Sequence, residues 1–579
     1  MLFGWDEFSP EDSQEILWDA VIIGAGMGGA TLGYALARKG LRVLFLERGS
    51  AQTLFPESLH EGRLKRLLGW ERREDRLAAM GRWPRPITMM RGGQAIHFLA
   101  PIGSGPGGSS AIYGAALERM RRIDFSASAM GGEDPTRLRD EWPLDYDEFR
   151  AYYRRAEGLF EVAGTRDPDD PDDDAILVPP PALSERDQDF FESFQSVGMK
   201  PYRMHVGIAY RPGCRECLSL PCPTDCKADG SSKALCPALR DHGAKILLNC
   251  AVERLEATGA RVTAVAARTA GRTLKFRGRV VVLAAGALST PLLLRKSTSP
   301  QWPSGLGNQN YLVGRGLMFH ATDLIALWPR KRLSAAGPRK TLSSRTFYVK
   351  EGRKVGSFQS LGLPVSQGTI FNFLMGRIES YSRVKIPLAQ LLTRAVAIAA
   401  TGYFKRACVF ATIIEDFPYR SNRVVLDPDK PSGFYIEYVK SQELSDRIAE
   451  MRSMLKSTLA VHKPWILTGD DNMNLGHPSG TCRFGKDSAT SVLDPSNKVR
   501  GVENLYVADA SFFPSSAGAN PGLTVAANSL RVADLIANRL DMHERTVGTF
   551  SSSSTASATG FLDFVGKNQE GEKFQSRWN

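Results

Sequence analysis

Asp19-Ala20-Val21-Ile22-Ile23-Gly24-Ala25-Gly26-Met27-Gly28-Gly29 is the stretch from which the fold can be read: an apolar run passes without a break into a cluster of glycines. The run is short and β-branched, as a strand covered on both faces should be. The glycines fit GxGxxG at Gly24, Gly26 and Gly29. The first permits a tight turn, the second lets the backbone approach a pyrophosphate, and the third lets helix and strand pack closely. Thr31 to Lys39 (TLGYALARK) has a helical period, and Leu41-Arg42-Val43-Leu44-Phe45-Leu46-Glu47 reads as a second apolar strand. A strand–turn–helix–strand unit makes its two strands parallel. The helix N-terminus then offers free N–H groups and partial positive charge to phosphates. Glu47 lies 21 residues after Gly26, where a carboxylate accepts ribose hydroxyls and repels a 2′-phosphate, which disfavours NADP. The unit predicts dinucleotide binding; alone it does not separate FAD from NAD.

Outward from this unit, Val280-Val281-Val282-Leu283 reads as another parallel strand, followed by the small residues Ala284-Ala285-Gly286-Ala287. Asn504-Leu505-Tyr506-Val507-Ala508-Asp509 reads as a third stretch of the same sheet. The nucleotide-binding sheet is thus expected from three separated stretches, with the intervening segments forming a second domain over the active face. No internal repeat is visible. After about residue 542 the chain turns Ser-rich (SSSSTASATG) and reads as a loose tail.

At 579 residues the chain has room for two to four domains of about 100–200 residues each. A content of 42% hydrophobic and 23% charged residues excludes fibre, collagen and wholesale disorder. The net charge of +12 is partly local: Arg330 to Lys354 carries nine Lys or Arg against Glu351, whereas Asp167 to Asp174 holds six Asp. Such runs read first as solvated loops, and second as docking sites for a partner, an anionic membrane surface or an acidic substrate. No aromatic residues interleave with the basic run in an RNA-binding pattern and no nucleic-acid motif is visible, so nucleic acid is set aside. The first residues (MLFGWDEFSPEDSQEI) are acidic and do not read as a signal peptide. Ile386 to Gly402 is interrupted by Pro387, Gln390 and Arg394 and is too polar to span a bilayer. Its apolar Leu388, Leu391, Leu392, Ala395, Val396 and Ala399 make it an amphipathic helix, read first as a core element. A face buried in lipid, or lining an entrance for an apolar substrate, is the second reading. The expected location is cytoplasmic or peripheral to a membrane.

Several further stretches resemble the glucose–methanol–choline (GMC) oxidoreductase family. Gly103-Ser104-Gly105-Pro106-Gly107-Gly108-Ser109-Ser110-Ala111-Ile112-Tyr113-Gly114 is similar to its first signature, and Gly286-Ala287-Leu288-Ser289-Thr290-Pro291, continuing to Ser297, to its second. Trp142-Pro143 with Tyr146, Tyr152, Tyr153 and Glu157, and the strand Asn422-Arg423-Val424, resemble recurrent family segments. His477-Pro478-Ser479-Gly480-Thr481, Val492-Leu493-Asp494, Tyr506 to Ser511 and Asn520-Pro521-Gly522-Leu523-Thr524 resemble its C-terminal motifs. The resemblance spans residues 17 to 540 and implies FAD rather than NAD, under a cap of antiparallel sheet. The expected fold class is then α/β: a Rossmann-like FAD-binding domain assembled from discontinuous segments, plus an α+β substrate domain. The expected boundaries are 15–125, 205–325 and 465–542 for the first, 126–204 and 326–464 for the second, and 543–579 for a flexible tail.

The resemblance implies roles for individual residues. Gly24, Gly26, Gly29, Glu47, Gly107, Gly108, Ser109, Tyr113, Val252, Asp509, Ala510 and Pro521 would hold the cofactor, with Asn520-Pro521 at the reacting face of the flavin. Gly107 and Gly108 supply unhindered backbone where a flat ring must lie. Oxidation of an alcohol by hydride transfer to flavin N5 leaves a hydroxyl proton to be accepted, and an imidazole with a pKa of about 6.5 suits that task. Of the eight histidines, His477 alone sits in an HPxGT context; by resemblance it is the base, and Asn520 orients the substrate oxygen. His320, in Val313-Gly314-Arg315 to Phe319-His320, fits a family structural motif. Where some relatives attach FAD through a histidine, this chain has Ile112, so noncovalent FAD is expected, and Tyr113 follows where relatives often have Asn or His.

Five of the eight cysteines fall together: Cys214, Cys217, Cys222, Cys226 and Cys236, spaced C-x2-C-x4-C-x3-C-x9-C. In a cytosolic chain this density suggests a metal before disulfides. Cys214, Cys217, Cys222 and Cys226 are read first as ligands of an iron–sulfur cluster, as in certain sugar dehydrogenases that the family includes. Zinc, disulfides and unpaired thiols stay open. The expected substrate is an alcohol, either bulky and lipophilic or a sugar, and the electron acceptor is O2 or another oxidant. A lyase or light-driven decarboxylase of the same fold, and a subunit passing electrons to a partner, are the alternatives.

Overall fold

β1 (Leu17–Ile23) is buried from Trp18 onward and is paired on both edges, which explains its unbroken apolar run. α1 (Met27–Ala37) follows the glycine turn and returns the chain to β2 (Val43–Leu46), parallel to β1 with Ile22 opposite Phe45. β3 (Lys245–Leu247) adds in parallel to the far edge of β2. β4 (Ala251–Thr258), β5 (Arg261–Thr269) and β6 (Arg272–Leu283) form an antiparallel meander. β6 is long enough, at 12 residues, to leave the meander and run beside β1, with Val282 opposite Ile22. β7 (Leu505–Val507) pairs with the other edge of β6, so the parallel strands lie in the order β3-β2-β1-β6-β7. The structure, a computed structural model, describes residues 9–51, 73–127, 136–363, 365–381, 386–470 and 472–552. The chain divides into two units, Met1–Leu535 and Ile536–Asn579. The first is the subject below.

The Rossmann-like sheet is therefore drawn from the three expected stretches and from a fourth, Lys245–Leu247, which is too short and too polar at its start to announce itself. A second, six-stranded sheet is antiparallel throughout, in the order Trp465–Ile466, Leu324–Leu327, Cys408–Ile413, Ser357–Ser360, Leu342–Ser344, Pro201–Arg203. Phe190, Phe194, Phe358 and Phe410 form the aromatic heart of its core. A four-stranded sheet joins Arg423–Leu426 and Phe434–Glu437 to Ile87–Arg91 and Gln94–Phe98.

Three readings of the sequence need correction. The basic run is not a solvated loop throughout, because Lys340, Arg345 and Lys354 are buried. Arg345 lies 3.1 Å from Glu118 and Lys354 lies 2.8 Å from Glu415. The acidic block is folded against basic partners: Asp167 meets Arg121 at 2.9 Å, Asp172 meets Arg122 at 2.7 Å and Asp169 meets Lys200 at 2.9 Å. The amphipathic helix, Ile386–Phe404, turns Leu391, Leu392 and Val396 outward instead of into the core. At the C-terminus, α2 (Gly522–Ser552) continues past residue 542, and residues 553–579 of the expected tail lie outside the described residues. Among the described residues, no helix is long and apolar enough to cross a membrane.

Candidate functional site

The turn after β1 is built by close approach. Gly24 has φ +100°, and a Cβ there would fall 2.4 Å from the carbonyl oxygen of Ala284 at the end of β6. A Cβ on Gly29 would lie 2.1 Å from the carbonyl oxygen of Gly24, so any side chain would push α1 off the sheet. Gly26 heads α1 as its N-cap, and the Gly107 N–H donates to the Ala25 carbonyl at 2.8 Å. This bond fastens the second glycine loop to the first. Glu47 is buried, and its carboxylate accepts from the backbone N–H groups of Ala25 (2.9 Å), Gly49 (2.8 Å) and Gly105 (3.0 Å).

One cavity of about 1160 Å³ joins this cradle to residues from the last quarter of the chain. Gly24, Gly26, Glu47, Gly108, Ser109, Tyr113 and Val252 line it together with His477, Asp509, Ala510, Asn520 and Pro521. Gly29 and Gly107 do not line it; they hold the wall from behind. Asp509 is buried, accepting from the Gly286 N–H at 2.9 Å and the Ser511 N–H at 2.9 Å, and burial raises its carboxyl above the usual range. It ties the end of β7 to the turn after β6. The Tyr113 hydroxyl donates to the Ala228 carbonyl, and burial raises its pKa well above the ordinary value. α2 begins at Gly522, beside Asn520 and Pro521, so its positive end faces the cavity. The Asn520 side-chain oxygen is buried and has no hydrogen-bond partner among the described residues. A polar atom left unpaired in such a place favours a ligand that can pair with it.

His477 stands on Met473–Ser479, which pairs with Met318–Ala321. The register slips between Met318, opposite Ser479, and His320, opposite Asn474. This bulge re-aims the intervening side chains, His477 among them. The His320 ring then becomes the key contact. Its Nε2 lies 3.0 Å from both the Ser516 and the Ala517 carbonyls, which can only accept, so Nε2 carries the proton. With His320 neutral, its Nδ1 accepts from His477 Nδ1 at 3.0 Å. This network assigns the tautomer and leaves His477 Nε2 as a bare lone pair. The Asn474 amide nitrogen, at 3.3 Å from His477 Nδ1, is the looser neighbour. Burial lowers His320 to about 4. Burial, then the proximity of His320 and Lys340, lowers His477 well below the ordinary histidine value. Both rings are neutral at neutral pH.

Two of these features escaped the sequence. The motif around His320 reads as structural, yet its ring touches the expected base. Lys340, hidden in the basic run, lines the cavity and is buried, and burial lowers it to about 8. It makes no ion pair with a described residue.

The cysteines do not form the expected ligand set. Among the described residues no three His, Cys, Asp or Glu side chains gather to hold a metal ion. All the thiols are free, and they bear on one another in twos: Cys226 is among the neighbours that raise Cys214, and Cys217 is the first cause of the lowering of Cys222. A hydrogen bond from Cys217 pulls the Cys222 thiol down, whereas burial pushes Cys214 up to about 11. The loop is held by a residue the sequence did not flag, Lys227, whose buried ammonium donates to the carbonyls of Ala111 (2.8 Å), Cys217 (2.9 Å) and Leu220 (2.6 Å). It straps the cysteine loop to the turn Gly108–Ile112, and the neighbouring Leu218 and Ser219 line the cavity.

Sequence models described as GMC oxidoreductase match residues 18–322 and 418–529 of the chain. The chain is similar to paromamine 6′-oxidase of Streptomyces fradiae, with 28% identity over 569 residues covering 93% of this chain and 94% of that protein. It is also similar to 2-methyl-1,2-propanediol dehydrogenase of Mycolicibacterium austroafricanum, with 26% identity over 552 residues covering 90% and 95% of the two chains. Among solved structures, pyridoxine 4-oxidase from Mesorbium loti matches with a TM-score of 0.57 and 19% identity, over 90% of this chain and 99% of that one. That likeness is one of fold.

Proposed function

Because this chain belongs to the GMC oxidoreductase family, we propose that it is an FAD-dependent enzyme that oxidises a CH–OH group with His477 as its base. One observation carries this reading: the His320 relay bares His477 Nε2 in the same cavity as the dinucleotide cradle. One relative is named for oxidation of paromamine and another for dehydrogenation of a propanediol, in keeping with an alcohol as substrate.

The residues present fit the cofactor. The Gly24–Gly26 turn and the head of α1 suit the pyrophosphate, and Glu47 suits the ribose. Val252, at the start of β4, suits the adenosine end, while Gly108, Ser109, Tyr113, Asp509, Ala510 and Pro521 suit the ring end. The Asn520 side-chain oxygen has an unmet acceptor that another donor of the bound ligand would fill, leaving the reacting hydroxyl's proton for His477. When bound, the flavin supplies the acceptor for the hydride leaving the carbinol carbon. His477 Nε2 takes the hydroxyl proton, and His320 holds the imidazole in the tautomer that can do so. Asn520 orients the same oxygen. The positive end of α2 favours negative charge that develops beside it. Lys340 raises the positive potential at the base and keeps His477 unprotonated. Leu361, Leu363, Ala411 and Ile413 line the cavity, and they suit an alcohol whose remainder is bulky and apolar.

Anaerobic titration of the flavin-loaded protein with sterols, long-chain alcohols, sugars and aryl alcohols tests this. Bleaching of the flavin by at least one class, with the lipophilic alcohols ahead of the sugars, is expected. Turnover of a substrate with the flavin left oxidised would point instead to lyase chemistry.

A further inference from the structure

We propose that the outer face of helix Ile386–Phe404, with the basic residues around its C-terminal end, docks on an anionic membrane surface. The helix buries Thr393 and Ala397. It leaves Leu391 (66% exposed), Leu392 (60%), Val396 (54%), Ile398 (60%) and Tyr403 (59%) open. The other exposed positions between Leu391 and Tyr403 are Ala, Gly and one charge, Arg394. A stable globular surface rarely leaves so continuous an apolar strip in water. An amphipathic helix lying in the plane of a membrane interface presents this pattern.

The end of the helix indicates which surface covers it. Tyr403 and Phe404 pack on Trp328 and Trp465, with ring centroids 5.5–5.8 Å apart, and Trp465 itself is half exposed. Aromatic rings with one apolar and one wet side are favoured at the headgroup level. Each of the three chain segments meeting there brings exposed cations: Lys331 and Arg332 follow Trp328, Lys405 and Arg406 follow Phe404, and Lys463 precedes Trp465. None of these five makes an ion pair with a described residue. The nearby Asp189 pairs with Arg330 at 2.8 Å, and Glu192 also acts on Arg330. An apolar strip ending in unpaired cations is complementary to anionic lipid, where each juxtamembrane cation adds attraction that salt screens.

The strip also adjoins the cavity in sequence. The hairpin of Gln367–Tyr381 and Ile386–Phe404 is inserted between strands Ser357–Ser360 and Cys408–Ile413, which supply Gln359, Ala411 and Ile413 to the cavity wall. Delivery of a membrane-dissolved alcohol to that wall rests on the functional reading above, whereas membrane binding itself does not.

Co-sedimentation of the flavin-loaded full chain with vesicles tests the proposal. Binding to mixed phosphatidylcholine–phosphatidylglycerol vesicles is expected, weak on pure phosphatidylcholine and falling with salt. Leu391→Glu with Val396→Glu should abolish it, and Lys405→Glu with Arg406→Glu should weaken it roughly tenfold or more. Flavin content and thermal unfolding should stay unchanged, since all four positions are exposed. No binding by the wild type, or equal binding to both vesicle types, would overturn the proposal. So would a dimer that the Leu391→Glu variant dissociates without any effect of lipid, which assigns the strip to a second copy.

Discussion

His320 donates from one nitrogen to two carbonyls and accepts at the other, and that asymmetry leaves His477 Nε2 free to act as the proposed base. Replacing His320 by Phe keeps the ring volume but removes the acceptor. Losing one partner of a buried hydrogen bond costs about 1–3 kcal/mol, so flavin reduction should slow roughly 5–150-fold with flavin still bound. A purely structural role would leave the pH profile of the remaining rate in place; here its acid limb should move. In the wild type that limb belongs to His477, which burial holds well below 6.5, so activity falls as pH drops through that lowered value. Lys340→Met removes a neighbouring cation that disfavours imidazolium, and the acid limb of kcat/KM should shift to higher pH. An unshifted limb would remove Lys340 from the site. His477 was legible because its surrounding HPSGT is a motif. His320 carried a motif too, but its contact with residue 477 exists only through tertiary pairing. Lys340 had no local signal: nothing in a basic run tells which cation is buried.

At the scale of elements, the glycine turn is where local sequence determined local structure most fully. Gly29→Ala would place a methyl group 2.1 Å from the Gly24 carbonyl oxygen. Overpacking of this kind costs about 1–3 kcal/mol, and thermal unfolding should fall with a parallel loss of bound flavin. The turn Gly108–Ile112 carries a second expectation. Ile112 lines the cavity but has no nucleophile to bond a flavin, so acid precipitation should release yellow cofactor into the supernatant. Flavin retained in the pellet would contradict this. The cysteine loop was not legible for a physical reason: spacing reports which thiols can meet, not which ones do. Lys227 fixes the loop through the carbonyls of Cys217 and Leu220, a contact that cysteine spacing does not reveal. β3 was missed because three residues are too few for periodicity to register.

Across the whole molecule, the parallel sheet was readable from β1, β2, β6 and β7 because buried parallel strands need continuous apolar residues, and these have them. The charge blocks were not readable, because salt bridges such as Arg121–Asp167 and Arg345–Glu118 join segments far apart in sequence. The outward face of Ile386–Phe404 was hidden likewise, since periodicity identifies an apolar face but not what it meets. The central claim is itself a long-range one: a cofactor held by the first fifty residues is served by an imidazole near the end of the chain. Single-turnover flavin reduction by an alcohol substrate, measured anaerobically in the wild type and in His477→Ala, tests it most directly. The variant should keep its flavin and reduce it about 10²–10⁴-fold more slowly. Reduction at the wild-type rate would show that His477 is not the base.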